Sequence, residues 1–571
     1  MTEAELTQRL RAEGELAVER LDHWAAQAGE RVFFYYGEDD VALTYADFAA
    51  RTDHIAGNLV AHGIGQGDRV SVFTFNPMVS ALAMFAIWKA GAVYCPINFS
   101  YQGRLLSYQL NDTGPNLVIT DPALLGALNA VAGDLQRLPA VCVYQAPQGA
   151  HDHTPRCDPV DPRFVALGWA ALTAPARRPA VTVAYDDPAN VIYTSGTTGP
   201  AKGVVQPHRW MAQYTFNLRL ALTGDDVIYN DLPMYHVGGA IANVVRAAWV
   251  GCEVAVWNRF SPSAFWERIA RRGATRAILL DVMIPWLTKA PETPEDRHNT
   301  LNKVHMQPLP EHHAAVAKRF GFDFVTAGFG QTESGAPLAI VIEQTRQGEG
   351  TPPELYRGRS HAEIIALAQG AGTPVVSAEQ ASIKRLMGRP SPFFEVAVLD
   401  EHDSRCAAGQ PGHLAVRPKL PALIMQEYLG KPEATVKAWK NLWFHTGDAA
   451  VQHQDGQFAF IDRLGDRIRV RGENLSSFQV EDLLHQHPSV ALAAAFAIPG
   501  EEGDEDDIVV CVTAEQGASL SEQALHDYAA QTMPKYMRPR HFRIVDDIPR
   551  TPTNKIEKYK LRAAIVAELG K

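Results

Sequence analysis

The sequence predicts an α/β protein with a large N-terminal domain of α/β subdomains and a small α+β C-terminal domain. Strand-like and helix-like stretches alternate over most of residues 1–340, which is the pattern of parallel sheets covered by helices. After Asp462 the pattern changes to shorter elements of mixed order. We therefore predict one domain at residues 1–462 and a second at residues 463–571.

The alternation is clearest in three places. In the first, a strand at 68–73 is followed by a helix at 77–91 and a strand at 92–96. In the second, a strand at 116–120 is followed by a helix from Pro122. In the third, a strand at 253–257 is followed by a helix at 264–272 and a strand at 276–280. Two stretches interrupt it. Residues 145–180 are rich in Pro, His and Asp and predict an exposed loop. Residues 343–382 are polar around one helical stretch at 361–369, and they predict an insertion.

Composition excludes some classes of function. The chain has 571 residues, of which 46% are hydrophobic and 20% charged, so it can bury a core. The net charge of −11 gives no general case for nucleic-acid binding. No apolar run approaches the roughly 18 residues of a membrane span. The six cysteines have no metal-ligand spacing and the N-terminus has no signal-peptide pattern, which predicts a cytoplasmic protein.

The segment TSGTTGPAKG at residues 194–203 follows a strand-like run at 190–193. Glycines let backbone N–H groups approach phosphate oxygens, hydroxyls add donors, and Lys202 adds a positive charge. Ala201 and Gly203 stand where a Walker A motif needs Gly and Ser or Thr. The pattern predicts a phosphate-binding loop of another kind, and a flexible surface loop is the alternative. Its predicted binding residues are Thr194, Ser195, Gly196, Thr197, Thr198, Gly199 and Lys202.

Five further blocks follow the loop along the chain. They are PMYHVGG at 233–239, GFGQTE at 328–333, TGD at 446–448, DRLGDRIRVRGEN at 462–474 and PRTPTNKI at 549–556. With the glycine loop, these blocks resemble the adenylate-forming superfamily, in particular its acyl-CoA synthetase branch. The superfamily also includes peptide-synthetase adenylation domains and firefly luciferase. The resemblance covers roughly residues 30–565.

The resemblance implies a reaction in two halves. A carboxylate attacks the α-phosphate of ATP and forms an acyl-adenylate with release of pyrophosphate. The thiol of CoA then attacks the acyl carbon and releases AMP. It also implies that the C-terminal domain is a mobile lid that changes position between the halves. The expected ligands are a small carboxylic acid, ATP, Mg²⁺ and CoA.

The resemblance also assigns roles to residues of the nucleotide site. Glu333 is the expected Mg²⁺ ligand, since carboxylates suit that hard ion. Asp448 is expected to accept hydrogen bonds from the ribose hydroxyls, with Arg463 in support. Phe329 is expected to stack on adenine, and Lys555 to bridge the carboxylate and the α-phosphate. The remaining expected nucleotide-binding residues are Gly328, Gly330, Gln331 and Thr332.

A second group of roles concerns the acid and the thiol. His236 is expected to gate the acyl pocket beside Val237, Gly238 and Gly239. The expected catalytic set is then Lys555, Glu333, His236 and Thr194. Arg467, Arg469 and Arg471 alternate, so on a strand they share one face. The resemblance places Arg469, Arg471, Gly472 and Glu473 at the thioester step and Gly465 and Asp466 at the hinge, while a solvated basic edge strand is the alternative.

Three functions stay open on the sequence alone. The leading hypothesis is an AMP-forming acid–CoA ligase, and the general pattern resembles crotonobetaine/carnitine-type CoA ligases. The others are an adenylating enzyme that loads a separate carrier protein and a non-catalytic nucleotide sensor. No aspartate follows His236 to pair with a substrate amine, which disfavours amino-acid activation. The sequence HMQP at 305–308 departs from the superfamily pattern, so an unusual acid is expected. A homodimer is one open assembly state.

Overall fold

The computed structural model describes residues 1–155, 157–194, 200–280, 283–383, 385–463, 467–470, 473–500, 505–549, 556 and 558–569. Two compact units are present. The first contains Met1–Phe99, Tyr108–Ile192 and Gly203–Asp462. The second contains Ser100–Ser107, Tyr193–Lys202 and Arg463–Lys571. The second unit thus includes two short segments that lie within the predicted N-terminal domain.

Helices are distributed along the whole chain. The α-helices are α1 (Glu3–Arg11), α2 (Ala17–Gln27), α3 (Tyr45–Ala61), α4 (Pro77–Lys89), α5 (Gly103–Thr113), α6 (Pro122–Ala130), α7 (Trp169–Thr173), α8 (His208–Arg219), α9 (Val237–Gly239), α10 (Arg246–Val250), α11 (Phe265–Arg272), α12 (Met283–Thr288), α13 (His313–Phe320), α14 (His361–Gly370), α15 (Pro432–Ala438), α16 (Ser477–Leu484), α17 (Glu522–Thr532) and α18 (Lys558–Leu569). A π-helical stretch, Ala240–Val245, joins α9 to α10. Among the described helices, none has both the length and the hydropathy of a membrane span.

Strands alternate with these helices. They are β1 (Val32–Tyr36), β2 (Val41–Thr44), β3 (Arg69–Phe73), β4 (Val93–Pro96), β5 (Leu117–Thr120), β6 (Ala140–Val143), β7 (Val165–Gly168), β8 (Pro188–Thr194), β9 (Lys202–Pro207), β10 (Val227–Asn230), β11 (Glu253–Val256), β12 (Arg276–Leu280), β13 (Lys303–Gln307), β14 (Phe324–Gln331), β15 (Gly335–Glu343), β16 (Val375–Ser377), β17 (Leu386–Pro390), β18 (Phe394–Leu399), β19 (Pro411–Pro418), β20 (Glu427–Tyr428), β21 (Trp439–Lys440), β22 (Trp443–Gln452), β23 (Phe458–Arg463), β24 (Arg467–Val470), β25 (Glu473–Ser476), β26 (Val490–Pro499), β27 (Asp506–Ala514) and β28 (His541–Ile544).

The first unit is built mainly on two large sheets. In one of them, strands β1, β11, β10, β12, β13 and β14 pair in parallel, as the βαβ pattern predicts. From β14 onward the pairing becomes antiparallel, through β15, β17 and β23. In the other sheet, β3, β4, β5, β6 and β7 are parallel neighbours. The predicted α/β fold class is confirmed, and the antiparallel part adds to it.

Helix α4 shows why the first βαβ unit forms. The Asn76 side chain accepts hydrogen bonds from the first N–H groups of the helix, and Pro77 occupies its first turn. Nearly every residue that follows is buried, including Trp88, so this helix is apolar on all sides and lies inside the core. The chain then turns at Gly91 with a φ of 72°. The helix therefore ends two residues before the predicted end at residue 91.

The predicted loop at 145–180 and the predicted insertion at 343–382 both contain helices and strands. Within the predicted loop 145–180, β7 pairs with β6 and α7 follows directly. The expectation of a loop was wrong for β7 and α7, while the predicted exposure holds for β7, an edge strand whose residues are mostly exposed. In the predicted insertion, α14 is followed by β16, which pairs with β15. His361 anchors α14, with its two ring nitrogens each 3.0 Å from a carboxylate of Asp323 or Glu343.

The second unit has an α+β arrangement. Strands β26 and β27 are antiparallel and β28 joins β27 in parallel, while β24 and β25 form a separate hairpin. Leu483, Val510 and Leu525 belong to one apolar core shared by helices and strands. This pattern agrees with the fold class that the sequence predicts for the C-terminal part. The lid movement stays a prediction.

Candidate active site

The GFGQTE block forms a β-hairpin. Gly328 and Gln331 lie on β14, Glu333 lies in the turn, and β15 begins at Gly335. Only glycine fits at position 328, because a Cβ atom there would lie 2.4 Å from the carbonyl oxygen of Leu338 on the paired strand. The hairpin therefore fixes the position of the predicted nucleotide-binding residues through backbone pairing.

A hydrogen bond connects this hairpin to the TGD block. The side-chain amide of Gln331 donates to Asp448 Oδ2 at 2.9 Å and to the carbonyl of Thr446 at 2.8 Å. Asp448 lies on β22 and only 1% of its surface is exposed. Two blocks more than 100 residues apart in sequence thus meet in the first unit, and the ribose-binding role of Asp448 stays a prediction.

The turn that contains Glu333 is held by a segment the sequence analysis did not select. The hydroxyl of Tyr428 donates to Glu333 Oε1 at 3.1 Å. The backbone N–H of Met425 donates to the carbonyl of Glu333 at 2.8 Å. The Gln206 side chain donates to the carbonyl of Thr332 at 2.7 Å. No local sequence signal marks Tyr428, because its contact depends on pairing between β20 and β9.

Phe329 is more enclosed than its neighbours in the hairpin. It is 8% exposed and belongs to the main apolar core, whereas Gly328, Gly330 and Gln331 are half-buried. Its stacking on adenine stays a prediction. Glu333 is a carboxylate held in a hairpin turn, and its oxygens have the donor chemistry that Mg²⁺ prefers.

The PMYHVGG block turns from β10 into α9. Asn230 closes this turn, since its Oδ1 atom accepts from the N–H of Leu232 at 3.2 Å and from the Asn243 side chain at 2.8 Å. At Gly239 a Cβ atom would lie 2.4 Å from the carbonyl oxygens of Leu232 and Pro233, so the helix packs directly on the strand end. Val237 and Gly238 complete α9 and are partly exposed.

His236 caps α9 and lies within a row of rings. Its ring centroid is 4.5 Å from that of Tyr235, which lies 5.1 Å from Phe99, and Phe99 lies 4.7 Å from Phe75. Asp231, two residues before this block, is buried, and burial raises the pKa of its carboxyl to about 6. The block is therefore framed by an aromatic row and a buried carboxyl group.

The remaining predicted residues divide by what the structure describes. Thr194 ends β8 and Lys202 begins β9, so both flank the glycine loop. Arg469 lies on β24, and its backbone N–H donates to Asp506 Oδ2 at 2.7 Å. Arg463 and Glu473 lie at the bounds of β23 and β25, with side chains outside the described part. Also outside the described residues are Ser195, Gly196, Thr197, Thr198, Gly199, Gly465, Asp466, Arg471, Gly472 and Lys555.

Comparison with known proteins decides the family. The family model described as AMP-binding enzyme matches residues 21–429, and the model described as AMP-binding enzyme C-terminal domain matches residues 479–555. The chain belongs to the AMP-binding enzyme family. The hairpin, the TGD block and the PMYHVGG block described above lie within or next to the first match.

Two curated relatives extend along almost the whole chain. The crotonobetaine/carnitine–CoA ligase of Citrobacter koseri is 26% identical and covers 91% of this chain and 93% of its own length. The medium/long-chain-fatty-acid–CoA ligase of Mycobacterium tuberculosis is 27% identical and covers 94% of this chain and 84% of its own length. Both relatives are named as ligases that join an acid to CoA.

Solved structures agree on the fold of an AMP-binding enzyme. The o-succinylbenzoate CoA synthetase of Bacillus subtilis has a TM-score of 0.74 at 21% identity and covers 95% of this chain and 98% of its own. The amide bond synthetase of Marinactinospora thermotolerans has a TM-score of 0.72 at 21% identity, with coverage of 96% and 99%. At this identity the similarity concerns the fold alone.

Proposed function

We propose that this protein is an AMP-forming acid–CoA ligase. It activates a carboxylic acid with ATP to an acyl-adenylate and then transfers the acyl group to CoA. The observation that carries the proposal is the extent of the family relationship, since relatives named as CoA ligases align with 91% and 94% of the chain. The hydrogen bond between Gln331 and Asp448 adds geometric support, because it brings two separate nucleotide blocks together.

The first half-reaction joins two anions, so their repulsion must be offset. A carboxylate oxygen attacks the α-phosphorus of ATP, and the bond to the pyrophosphate oxygen breaks. Backbone N–H groups, hydroxyls and Lys202 of the glycine loop would hold the leaving phosphates. Glu333 would hold Mg²⁺, which when bound neutralises phosphate charge. Lys555 would place its ammonium between the attacking carboxylate and the α-phosphate.

The nucleoside part would be fixed mainly by residues of the first unit. Asp448 would accept hydrogen bonds from both ribose hydroxyls, and Gln331 keeps this carboxylate in one orientation. Phe329 would contribute the aromatic face next to adenine, with Arg463 in support of the ribose. Because AMP stays bound while pyrophosphate leaves, these contacts serve both half-reactions.

In the second half-reaction the CoA sulfur attacks the acyl carbon and the bond to AMP breaks. His236 would control access between the thiol and the acyl group, while Arg469, Arg471, Gly472 and Glu473 would support CoA. Gly465 and Asp466 would form the hinge on which the C-terminal domain changes position between the two half-reactions. The cytoplasmic location and the homodimer stay predictions.

The test measures pyrophosphate release with ATP and Mg²⁺ for short, branched, aryl, dicarboxylic and betaine-like acids, each with and without CoA. Release that depends on one acid and rises with CoA is the expected result. Acid-dependent release that CoA does not change would favour the carrier-loading enzyme. A protein that binds ATP but releases no pyrophosphate with any acid would instead be a nucleotide sensor.

A further inference from the structure

Two arginines are buried in the first unit and form no ion pair with any carboxylate among the residues that the structure describes. Arg246 begins α10 and Arg276 begins β12, and both side chains are 0% exposed. Arg246 donates to Asn243 Oδ1 at 2.9 Å and Arg276 donates to Thr326 Oγ1 at 2.6 Å. The Nε and Nη1 atoms of both arginines are buried and have no hydrogen-bond partner within the described part of the chain.

The carboxylate that acts on both arginines is already engaged. Asp226 lies 2.9 Å from the Lys303 ammonium and accepts hydrogen bonds from Thr275 at 2.6 Å and from the N–H of Thr223 at 2.7 Å. Lys303 is also the cross-strand partner of Arg276. Asp226 is therefore already paired with Lys303, and an unpaired buried charge on either arginine is costly.

Burial and mutual repulsion are visible in the ionisation of the two groups. Burial lowers the pKa of Arg246 to about 10. Burial, followed by the charge of Arg246, lowers the pKa of Arg276 well below its ordinary value. Both effects would be relieved by an anion bound to the two guanidinium groups.

Polar side chains connect this cluster to the nucleotide hairpin. Thr326 Oγ1, which accepts from Arg276, is 3.0 Å from His305 Nδ1, and His305 Nε2 is 3.0 Å from Gln307 Oε1. A Cβ atom on Gly330 would meet Gln307 Nε2 at 3.9 Å. These residues lie along neighbouring strands β12, β13 and β14 and lead from the nucleotide motif into the sheet.

The helix of the predicted acyl pocket leads to the same place. Arg246 follows Gly239 by seven residues in a continuous helical stretch that includes the π-helical residues Ala240–Val245. Tyr214 lies 3.5 Å from the Cβ position of Gly330, and the charge of Arg246 acts on the pKa of Tyr214. The side chains that follow the hairpin and the helix that follows the PMYHVGG block thus both lead to the two arginines.

We propose that the acid activated by this protein carries a second carboxylate at its far end, which Arg246 and Arg276 bind. The inference rests on the proposed ligase function and narrows its substrate class to dicarboxylic acids. Guanidinium groups bind carboxylates through paired hydrogen bonds. A plain hydrocarbon end would leave both guanidinium groups unpaired, and the fixed positive charge of a betaine would be repelled.

The experiment compares acids of matched length that differ at the far end. The panel pairs adipate with hexanoate and its ω-trimethylammonium derivative, suberate with octanoate, and terephthalate with benzoate. Pyrophosphate release gives kcat/KM for each acid. We expect at least one diacid to exceed its partners by about 10²- to 10⁴-fold, because a site built for a polar group rejects analogues that lack it.

Arginine variants test the assignment to this cluster. Arg246→Met and Arg276→Met should each lower the diacid-to-monoacid ratio of kcat/KM by 10-fold or more, and Arg→Lys at either position should recover part of it. Arg272→Met is the matched control, since this arginine pairs with Glu253, and its ratio should equal that of the unmodified protein. Ratios stay informative even if a variant is less stable.

A binding readout separates this inference from the ligase function. Thermal shift with each diacid, in the presence of ATP and Mg²⁺, should show stabilisation that Arg246→Met removes. Turnover of monoacids with no preference for diacids would overturn the anionic subsite and leave the ligase function in place. Neither pyrophosphate release nor thermal stabilisation with any acid would overturn both.

Discussion

The nucleotide side and the acyl side of the first unit hold their polar groups in different ways. On the nucleotide side, a hairpin and its backbone contacts fix Gln331 and Glu333, and Asp448 is satisfied by a hydrogen bond. On the predicted acyl side, Arg246 and Arg276 have buried nitrogen atoms with no hydrogen-bond partner among the described residues. Under the proposed function, the first side would serve every substrate, whereas the second side would select among acids.

The largest expected effect is on the step that both sides share. Lys555→Ala should lower adenylation by about 10²- to 10³-fold and by the same factor for every acid, while ATP binding stays within a few-fold. Pyrophosphate release and ATP titration measure the two quantities. Lys558→Ala is the matched control, because Lys558 pairs with Glu481 at 2.7 Å. Full pyrophosphate release by the Lys555 variant would contradict the assigned role.

A stability measurement examines the buried carboxyl group next to the acyl block. Burial raises the pKa of Asp231 to about 6, so its contribution to stability is full below pH 3.8 and is lost as the pH rises through 6. Asp231→Asn should therefore raise the free energy of unfolding at pH 8, on the order of 2–3 kcal/mol. The gain should vanish near pH 4 in denaturant titrations.

The control for this change is the exposed neighbour Asp225. Asp225→Asn should leave the free energy of unfolding within about 0.5 kcal/mol at either pH, as is usual for surface substitutions. A gain from Asp231→Asn that is the same at pH 4 and pH 8 would show that ionisation of Asp231 is not its cause.

A smaller effect should separate the thioester step from adenylation. Arg469→Ala should lower acyl transfer to CoA by about tenfold, the scale of one lost charged contact of about 1.4 kcal/mol, and change adenylation less. Single-turnover assays of each half-reaction measure this. Arg562→Ala on the exposed face of α18 is the control. Equal losses in both half-reactions would count against a CoA-specific role.

A final effect, no larger than that of Arg469→Ala, concerns Mg²⁺ binding on the predicted nucleotide side. Tyr428→Phe removes the hydroxyl that donates to Glu333 at 3.1 Å. The Mg²⁺ concentration at half-maximal rate should rise about tenfold, the low end for partners that orient a metal ligand, with the same change for every acid. Tyr356→Phe, which loses a hydroxyl bonded to the carbonyl of Arg359, is the control. An unchanged Mg²⁺ dependence would separate Tyr428 from metal binding.

Secondary structure that depends on local sequence was predicted most accurately. The strand at residues 276–280 is observed as β12 with the same bounds, and the helix predicted at 361–369 is one residue longer as α14. Contiguous motifs selected Gln331, Glu333 and Asp448, whose roles stay predictions. Tyr428 and the two buried arginines were missed because their importance depends on which strands become neighbours, and no short pattern encodes that.

The sequence at residues 305–308 could be recognised as unusual, but its contacts could not be predicted. Its departure from the superfamily pattern led to the expectation of an unusual acid. Only the register of β13 with β12 and β14 places His305 beside Thr326 and near Arg276. Burial, followed by the charge of Arg276, lowers the pKa of His305 to about 3, so its ring is neutral and can relay hydrogen bonds without adding charge.

The anchor of α14 has a consequence for how the predicted insertion opens. Burial opposes the charge on His361, but hydrogen bonds to Asp323 and Glu343 outweigh it and raise its pKa. The stabilisation is therefore complete below about pH 6.5 and is lost as the pH rises through the raised value. The proton bound to His361 therefore helps to hold residues 343–382 in place. In alkaline solution this segment should exchange amide hydrogens and be cleaved by proteases more quickly.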